Sequence, residues 1–153
     1  MMNLNELYQD LILDHCRRPH HFGELLNATH HALGINPICG DEFKVFLNTS
    51  NYTIDEIQFT GHGCAISVAS ASLMTDIICG KSMTDALQFI NHFHHMVTEE
   101  ATPEEKDHLG KLVVFATVKN YPMRVKCATL AWHTLKAAIE KSATPVTTEK
   151  AND

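Results

Sequence analysis

Cys64 lies in the run Gly61-His62-Gly63-Cys64-Ala65-Ile66-Ser67, where an alternating, strand-like stretch gives way to a helix-forming one rich in small residues. The two glycines let the backbone turn tightly there. A thiol at a helix N-terminus feels the positive end of the helix macrodipole, which lowers its pKa from a free value of about 8.5. Cys39 stands in a second turn, with Gly40 and Asp41 directly after it. Together with Cys127, these residues offer three thiolates and one carboxylate. Such a set suits a tetrahedral Zn²⁺, with sulfur ligands near about 2.3 Å and oxygen near about 2.0–2.2 Å. Thiolates also hold iron–sulfur clusters. The spacing is not a paired Cys-x-x-Cys, and free cysteines are often just small buried hydrophobes. Residue types alone leave metal binding and plain burial both open.

The elements that must position these residues follow from the apolar periodicity. Leu4, Leu7, Tyr8, Leu11 and Ile12 fall at helical spacing, so a helix is expected over 4–18, capped by Asn3 or Asn5 and stopped by Pro19. Three strands are expected next. The first, over 28–35, is poor in strong β-formers, and its Gly34 marks a bulge or a close contact. The second carries Phe43, Val45 and Leu47 in alternation, and the third carries Ile57 and Phe59. The short turn-forming segment 48–53 joins them. Short connections imply an antiparallel meander. In that topology the turn holding Cys39 and Asp41 lies at the same end of the sheet as Cys64. Cys127 can join them only through packing of the last helix.

Helices are expected over 65–78, 82–97, 103–120 and 122–141. Small residues in the first of these let it approach the sheet closely. Pro103-Glu104-Glu105 and Pro122 are helix-start signals. The fold class is therefore α+β: a three-stranded antiparallel sheet with helices packed mainly on one face. Residues 1–142 are expected to form one domain, and 143–153 a flexible C-terminal tail.

Composition narrows the function classes. The formal net charge is −6 with histidines neutral, which argues against a nucleic-acid-binding face. The sequence shows neither a signal peptide at its start nor an apolar run long enough for a membrane span. A cytoplasmic protein is expected. There an odd number of cysteines (five) is not a disulfide framework. Cys16 and Cys79 fit no ligand set and read as buried inert thiols. His92 and His95, at i and i+3, read as solvated residues on a surface helix with no acid nearby. His20, His21, His30 and His31 are placed at the surface. His62 reads as a loop residue filling the turn, and Trp132 as core.

Three stretches in order carry a resemblance to a known family: Asn-Pro-Ile-Cys-Gly-Asp (Asn36 to Asp41), Gly-His-Gly-Cys-Ala-Ile-Ser-Val-Ala-Ser-Ala-Ser (Gly61 to Ser72), and Arg-Val-Lys-Cys-Ala-Thr-Leu-Ala-Trp (Arg124 to Trp132). The opening helix, Leu7 to His15 with Arg18-Pro19, matches as well. The chain resembles the U-type iron–sulfur assembly proteins, the IscU, NifU N-terminal and SufU family. Two features resemble the SufU branch. Lys126 stands where IscU-type members usually carry histidine, and Cys64 and Cys127 are 63 positions apart, a longer interval than the IscU pattern has. The resemblance implies a zinc-dependent sulfur acceptor working with a SufS-like cysteine desulfurase and passing sulfur toward downstream assembly or acceptor proteins. It implies Zn²⁺ on Cys39, Asp41, Cys64 and Cys127, with Cys39 as the mobile sulfur acceptor. The alternative it leaves is a scaffold holding iron, or a [2Fe–2S] cluster, on the same four residues. Lys126 is read either as a stabiliser of negative charge at that site or as a solvated lysine.

Overall fold

In the computed structural model, which describes residues 4–141 and 144–149 and the side chains from Glu6 onward, the expected meander is present. Strands β1 (His30–Asn36), β2 (Asp41–Ser50) and β3 (Thr53–His62) pair antiparallel. Phe43, Val45, Leu47, Ile57 and Phe59 are completely or almost completely buried, so the alternation in β2 and β3 does mark the core face. The proposed Asn3 cap and residues 142–143 and 150–153 lie outside the described residues.

The sheet has four strands rather than three. Val146–Thr147 forms β4, which pairs parallel with β1 and gives the order β3-β2-β1-β4. Two residues of Thr- and Pro-rich composition carry no strand periodicity; the exposed backbone edge of β1 supplies their partners.

Helices α1 (Leu4–Arg17), α2 (Ala65–Ile78), α3 (Met83–Thr98), α4 (Pro103–Leu109) and α5 (Pro122–Ile139) complete the fold. Helix α5 packs on β1 and β2, α2 packs on β3 and on α5, and α1 and α3 pack on those two. The approach of α5 to the sheet depends on Gly34. A Cβ there would fall 1.9 Å from Thr134 Oγ1, so the isolated glycine in β1 marks a close contact. Trp132 on α5 is buried and stacks on Phe93 of α3 with ring centroids 4.6 Å apart.

The helix expected over 103–120 is two elements. After α4 the chain passes through Gly110 (φ +55°) into a 3₁₀ segment, Gly110–Asn120. The start signal was sound, since Thr102 and Glu105 form a capping box with Pro103 in the first turn. The stop was masked by the apolar spacing beyond it. Val113, Val114, Thr117 and Val118 are β-branched and weak α-helix formers. No helix among the described residues is long and apolar enough to cross a membrane.

Candidate metal centre

The meander brings the first three donors to one end of the sheet. Asn36 pairs with Asp41 where β1 turns into β2, and Glu42 pairs with His62 at the end of β3. Cys64 follows two residues later as the N-cap of α2. The Asn36 side chain, fully buried, accepts from the backbone N–H groups of Ile38 (3.3 Å) and Cys39 (3.4 Å) through Oδ1. The turn carrying Cys39 is thus braced from beneath by an Asx-type contact.

Asp41 is the pivot of the site. It is 3 % exposed. The Cys64 backbone N–H donates to its Oδ1 at 3.2 Å. Its Oδ2 is buried with no hydrogen-bond partner among the described residues. A carboxylate oxygen left bare in the interior costs free energy unless a proton or a cation meets it. Gly63 permits the arrangement, because a Cβ at that position would stand 3.0 Å from Asp41 Oδ1 and 2.4 Å from Ser67 Oγ.

Cys64 is exposed, and its sulfur faces two donors of the first turn of α2: the Ser67 backbone N–H at 3.5 Å and the Ser67 hydroxyl at 3.4 Å. An anionic sulfur suits that setting. Ser67 was not singled out in the sequence, although its place three residues after a capping position is where an N-cap finds its donor.

Cys127 arrives on the second turn of α5 and is buried. Its position is fixed by a bond between helices. Ser70 of α2 donates to the Ala128 carbonyl at 2.6 Å, and the Trp132 indole N–H donates to Ser70 Oγ at 3.0 Å. One donor atom each from Asp41, Cys64 and Cys127 lies within 4.8 Å of the others. Burial pushes the Cys127 thiol well above its ordinary pKa. The Cys64 hydrogen bond and the charges of Cys64, Asp41 and Cys39 push it further the same way. Negative groups crowded this closely resist further ionisation, and a cation among them reverses that balance. The bare Asp41 oxygen and the donor chemistry together fit a thiophilic metal ion.

Cys39 is placed differently. It is exposed on the β1–β2 turn, outside the trio of converged donors, yet near enough for its charge to act on Cys127. His62 is exposed on β3. Lys126 forms an ion pair with Glu149 rather than standing free in solvent. Cys16 and Cys79 are half-buried, and the Cys79 thiol lies 3.6 Å from the Asp55 carbonyl. The reading of His92 and His95 as solvated residues without an acid nearby is corrected: both are half-buried, His95 contacts Glu99 (2.9 Å) and Glu105 (3.0 Å), and His92 meets His108 at 2.7 Å. Glu99 is the C-cap residue of α3, four positions after His95 and within reach of helical spacing, whereas Glu105 lies beyond the break on α4, where spacing on α3 does not reveal it.

Comparison with known proteins extends beyond this site. The NifU-like N terminal domain family matches residues 7–128. The chain is 42 % identical over 143 residues, 94 % of its length and 89 % of the relative's, to a protein of Streptococcus pyogenes serotype M1 named iron-sulfur cluster assembly scaffold protein IscU. It is 34 % identical over 139 residues, 91 % of its length and 93 % of the relative's, to the Bacillus subtilis (strain 168) protein named zinc-dependent sulfurtransferase SufU. Among solved structures, a Fervidobacterium islandicum AW-1 protein named as a cluster assembly scaffold for the SUF system superposes with a TM-score of 0.81 at 36 % identity, covering 90 % of this chain and 99 % of that one.

Proposed function

The chain belongs to the NifU-like N-terminal domain family, and from that premise we propose that it works in iron–sulfur cluster assembly as a zinc-dependent sulfur acceptor for a cysteine desulfurase. The observation that carries this reading is the unequal placement of the four residues. Asp41, Cys64 and Cys127 converge, while Cys39 stands exposed on a glycine turn. Three donors that hold and one thiol that reaches out are what a sulfur acceptor needs. The relative named as a zinc-dependent sulfurtransferase supports the choice of metal.

Zn²⁺ on Asp41, Cys64, Cys127 and Cys39 would keep the thiols deprotonated at neutral pH. The chain's own residues do the rest. Asn36 holds the backbone of the turn so that Cys39 presents its sulfur at the surface. The Cys39 thiolate attacks the outer sulfur of the desulfurase persulfide. A new S–S bond forms at Cys39, the persulfide S–S bond of the desulfurase breaks, and the desulfurase cysteine leaves as a thiolate. Such exchange needs a thiolate and access. Ser67 faces Cys64 and steadies it as a fixed donor.

A second reading is that the same four residues hold a [2Fe–2S] cluster, built in place and handed to apo-proteins. The Streptococcus pyogenes relative, named a scaffold, supports it. A desulfurase assay with zinc-loaded and iron-loaded protein side by side separates the two. Zinc-loaded protein is expected to stimulate sulfur release, and Cys39→Ala to abolish that stimulation. Unchanged stimulation by Cys39→Ala removes it from the acceptor role. A visible-absorbing cluster on purified protein that contains no zinc favours the scaffold.

A further inference from the structure

A second group of donors lies where α1 ends against α2, apart from the cysteines. His15, in the last turn of α1, is buried, and its Nδ1 is 2.7 Å from Ser72 Oγ. The same hydroxyl oxygen accepts from the His20 backbone N–H at 2.7 Å. The His20 Nδ1 is 2.6 Å from Asp76 Oδ2. The other carboxylate oxygen, Oδ1, is 3.4 Å from His21 Nδ1, which also sits 3.0 Å from Thr75 Oγ1. The His15 and His20 rings lie 4.4 Å apart, centroid to centroid. One donor atom each from His15, His20 and Asp76 falls within 4.8 Å of the others.

We propose that His15, His20 and Asp76 form a second metal site that takes a divalent ion of the zinc class through nitrogen and oxygen donors. Two imidazoles and one carboxylate are a donor set for Zn²⁺, Fe²⁺, Co²⁺ or Ni²⁺. Metal-bound histidines characteristically engage their second ring nitrogen with a neighbouring group. Ser72 does this for His15, leaving Nε2 as the nitrogen His15 offers. Bonds of about 2.0–2.1 Å in a tetrahedral ion set donors roughly 3.3 Å apart, so an ion would spread the 2.6 Å His20–Asp76 contact and draw in the donors that now lie within 4.8 Å of one another.

Asp76 lies in the last turn of α2, at the negative end of the macrodipole, where a lone carboxylate is disfavoured and a positive charge is favoured. Both imidazoles border an open cleft of about 570 Å³ whose rim includes Arg17 and Arg18. Three protein donors leave a coordination position open toward that space, as in sites that exchange a ligand. The arginines favour a water-displacing anion there.

Cobalt(II) titration of the reduced, metal-stripped full chain tests the site, because thiolate–cobalt bonds give an intense near-ultraviolet charge-transfer band and nitrogen–oxygen sites do not. Wild type is expected to take up two ions, only one of them with that band. His20→Ala and Asp76→Asn are each expected to weaken the band-silent ion at least tenfold and to keep the thiolate band. Both side chains are exposed, so these changes spare the core, whereas buried His15 is left intact. Uptake of a single ion by wild type overturns the site. So does a second ion that persists unweakened in both variants, or one that is lost instead in His95→Ala.

Discussion

The two ends of α2 carry donor groups of opposite character. At its start, Cys64 caps the helix and meets Asp41 and Cys127. In its last turn, Asp76 meets His15 and His20. The two ends are roughly 18 Å apart along the axis at 1.5 Å of rise per residue. The positive pole faces sulfur, a soft donor that works as an anion. The negative pole faces imidazoles, which work as neutral donors to a cation. The supports differ as well. The cysteine end is assembled from two strand ends and α5, elements distant in sequence that the core locks together. The histidine end needs only the α1–α2 contact and the short connector after Pro19. One strut therefore separates the two proposed metal sites, and each end can be broken while the other is watched.

The largest effect is expected at the cysteine end. Changing groups that merely orient metal ligands typically costs 10–100-fold in affinity. Removing a donor should cost at least about 100-fold. Cys64→Ser is expected to reach that loss of zinc affinity in chelator competition, and Asp41→Ala to loosen the ion likewise. Neither should alter the band-silent cobalt ion at the other end. Unaltered zinc affinity in Asp41→Ala removes Asp41 from the ligand set. Simultaneous loss at both ends means that α2 itself has been disturbed.

The next effect concerns acid. His133 on α5 is held at a pKa of about 4, chiefly by burial, with His94 and Lys136 adding to it. Its folded pKa lies below the unfolded value near 6.5, so the unfolded chain binds the proton first. Stability from this group is complete above about pH 6.5 and is lost as pH falls toward 4. The shift corresponds to about 3 kcal/mol. His15 moves in the same direction, so the histidine end also loses stability on acidification. His133→Gln is expected to flatten the fall in urea-unfolding free energy of metal-free protein between pH 7 and 4.5. An unchanged slope shifts the origin of acid sensitivity to His15, His30 and His108, whose pKa values burial also lowers, and to the carboxylates.

These two ends were not equally readable from the residues. The cysteine end was legible because strand alternation fixes a meander, and a meander fixes which turns share an end. That basis grouped Cys39, Asp41 and Cys64, of which Asp41 and Cys64 converge while Cys39 stands outside the converged trio; Cys127 came from the family resemblance. What brings Cys127 in is Ser70 bridging to Ala128 and Trp132, a bond between helices that periodicity cannot show. The histidine end left no such trace. Its partners are far apart in sequence, and His20 reads as an ordinary surface residue after a proline. The same holds for Glu105 beside His95, which becomes a neighbour only once the chain folds back at α4. The β4 strand was missed because two residues borrow their structure from the edge of β1.

Ser70→Ala probes what joins α2 to the helix carrying Cys127. It removes the acceptor of the buried Trp132 N–H and the donor to Ala128. Leaving a buried donor unpaired costs about 1–3 kcal/mol. A destabilisation of that size is expected in urea unfolding, with a modest loss of zinc affinity and no change at the histidine end. Full stability in Ser70→Ala would place the positioning of Cys127 in helix packing alone.

The smallest effect is expected at Lys126, the residue that precedes Cys127. Neighbouring residues on a helix do not share a face. Cys127 is buried toward Asp41 and Cys64, whereas the Lys126 ammonium pairs with Glu149, part of the segment that supplies β4. Both partners are about one-third exposed, and pairs of that kind contribute about 0–1 kcal/mol. Lys126→Ala should therefore loosen the Val146–Thr147 strand without weakening zinc at Cys127. Hydrogen exchange at β4 and chelator competition read the two effects separately. A large fall in zinc affinity would mean that the lysine turns away from Glu149 to face the thiolates, and that the cysteine end, unlike the histidine end, recruits its own counter-charge.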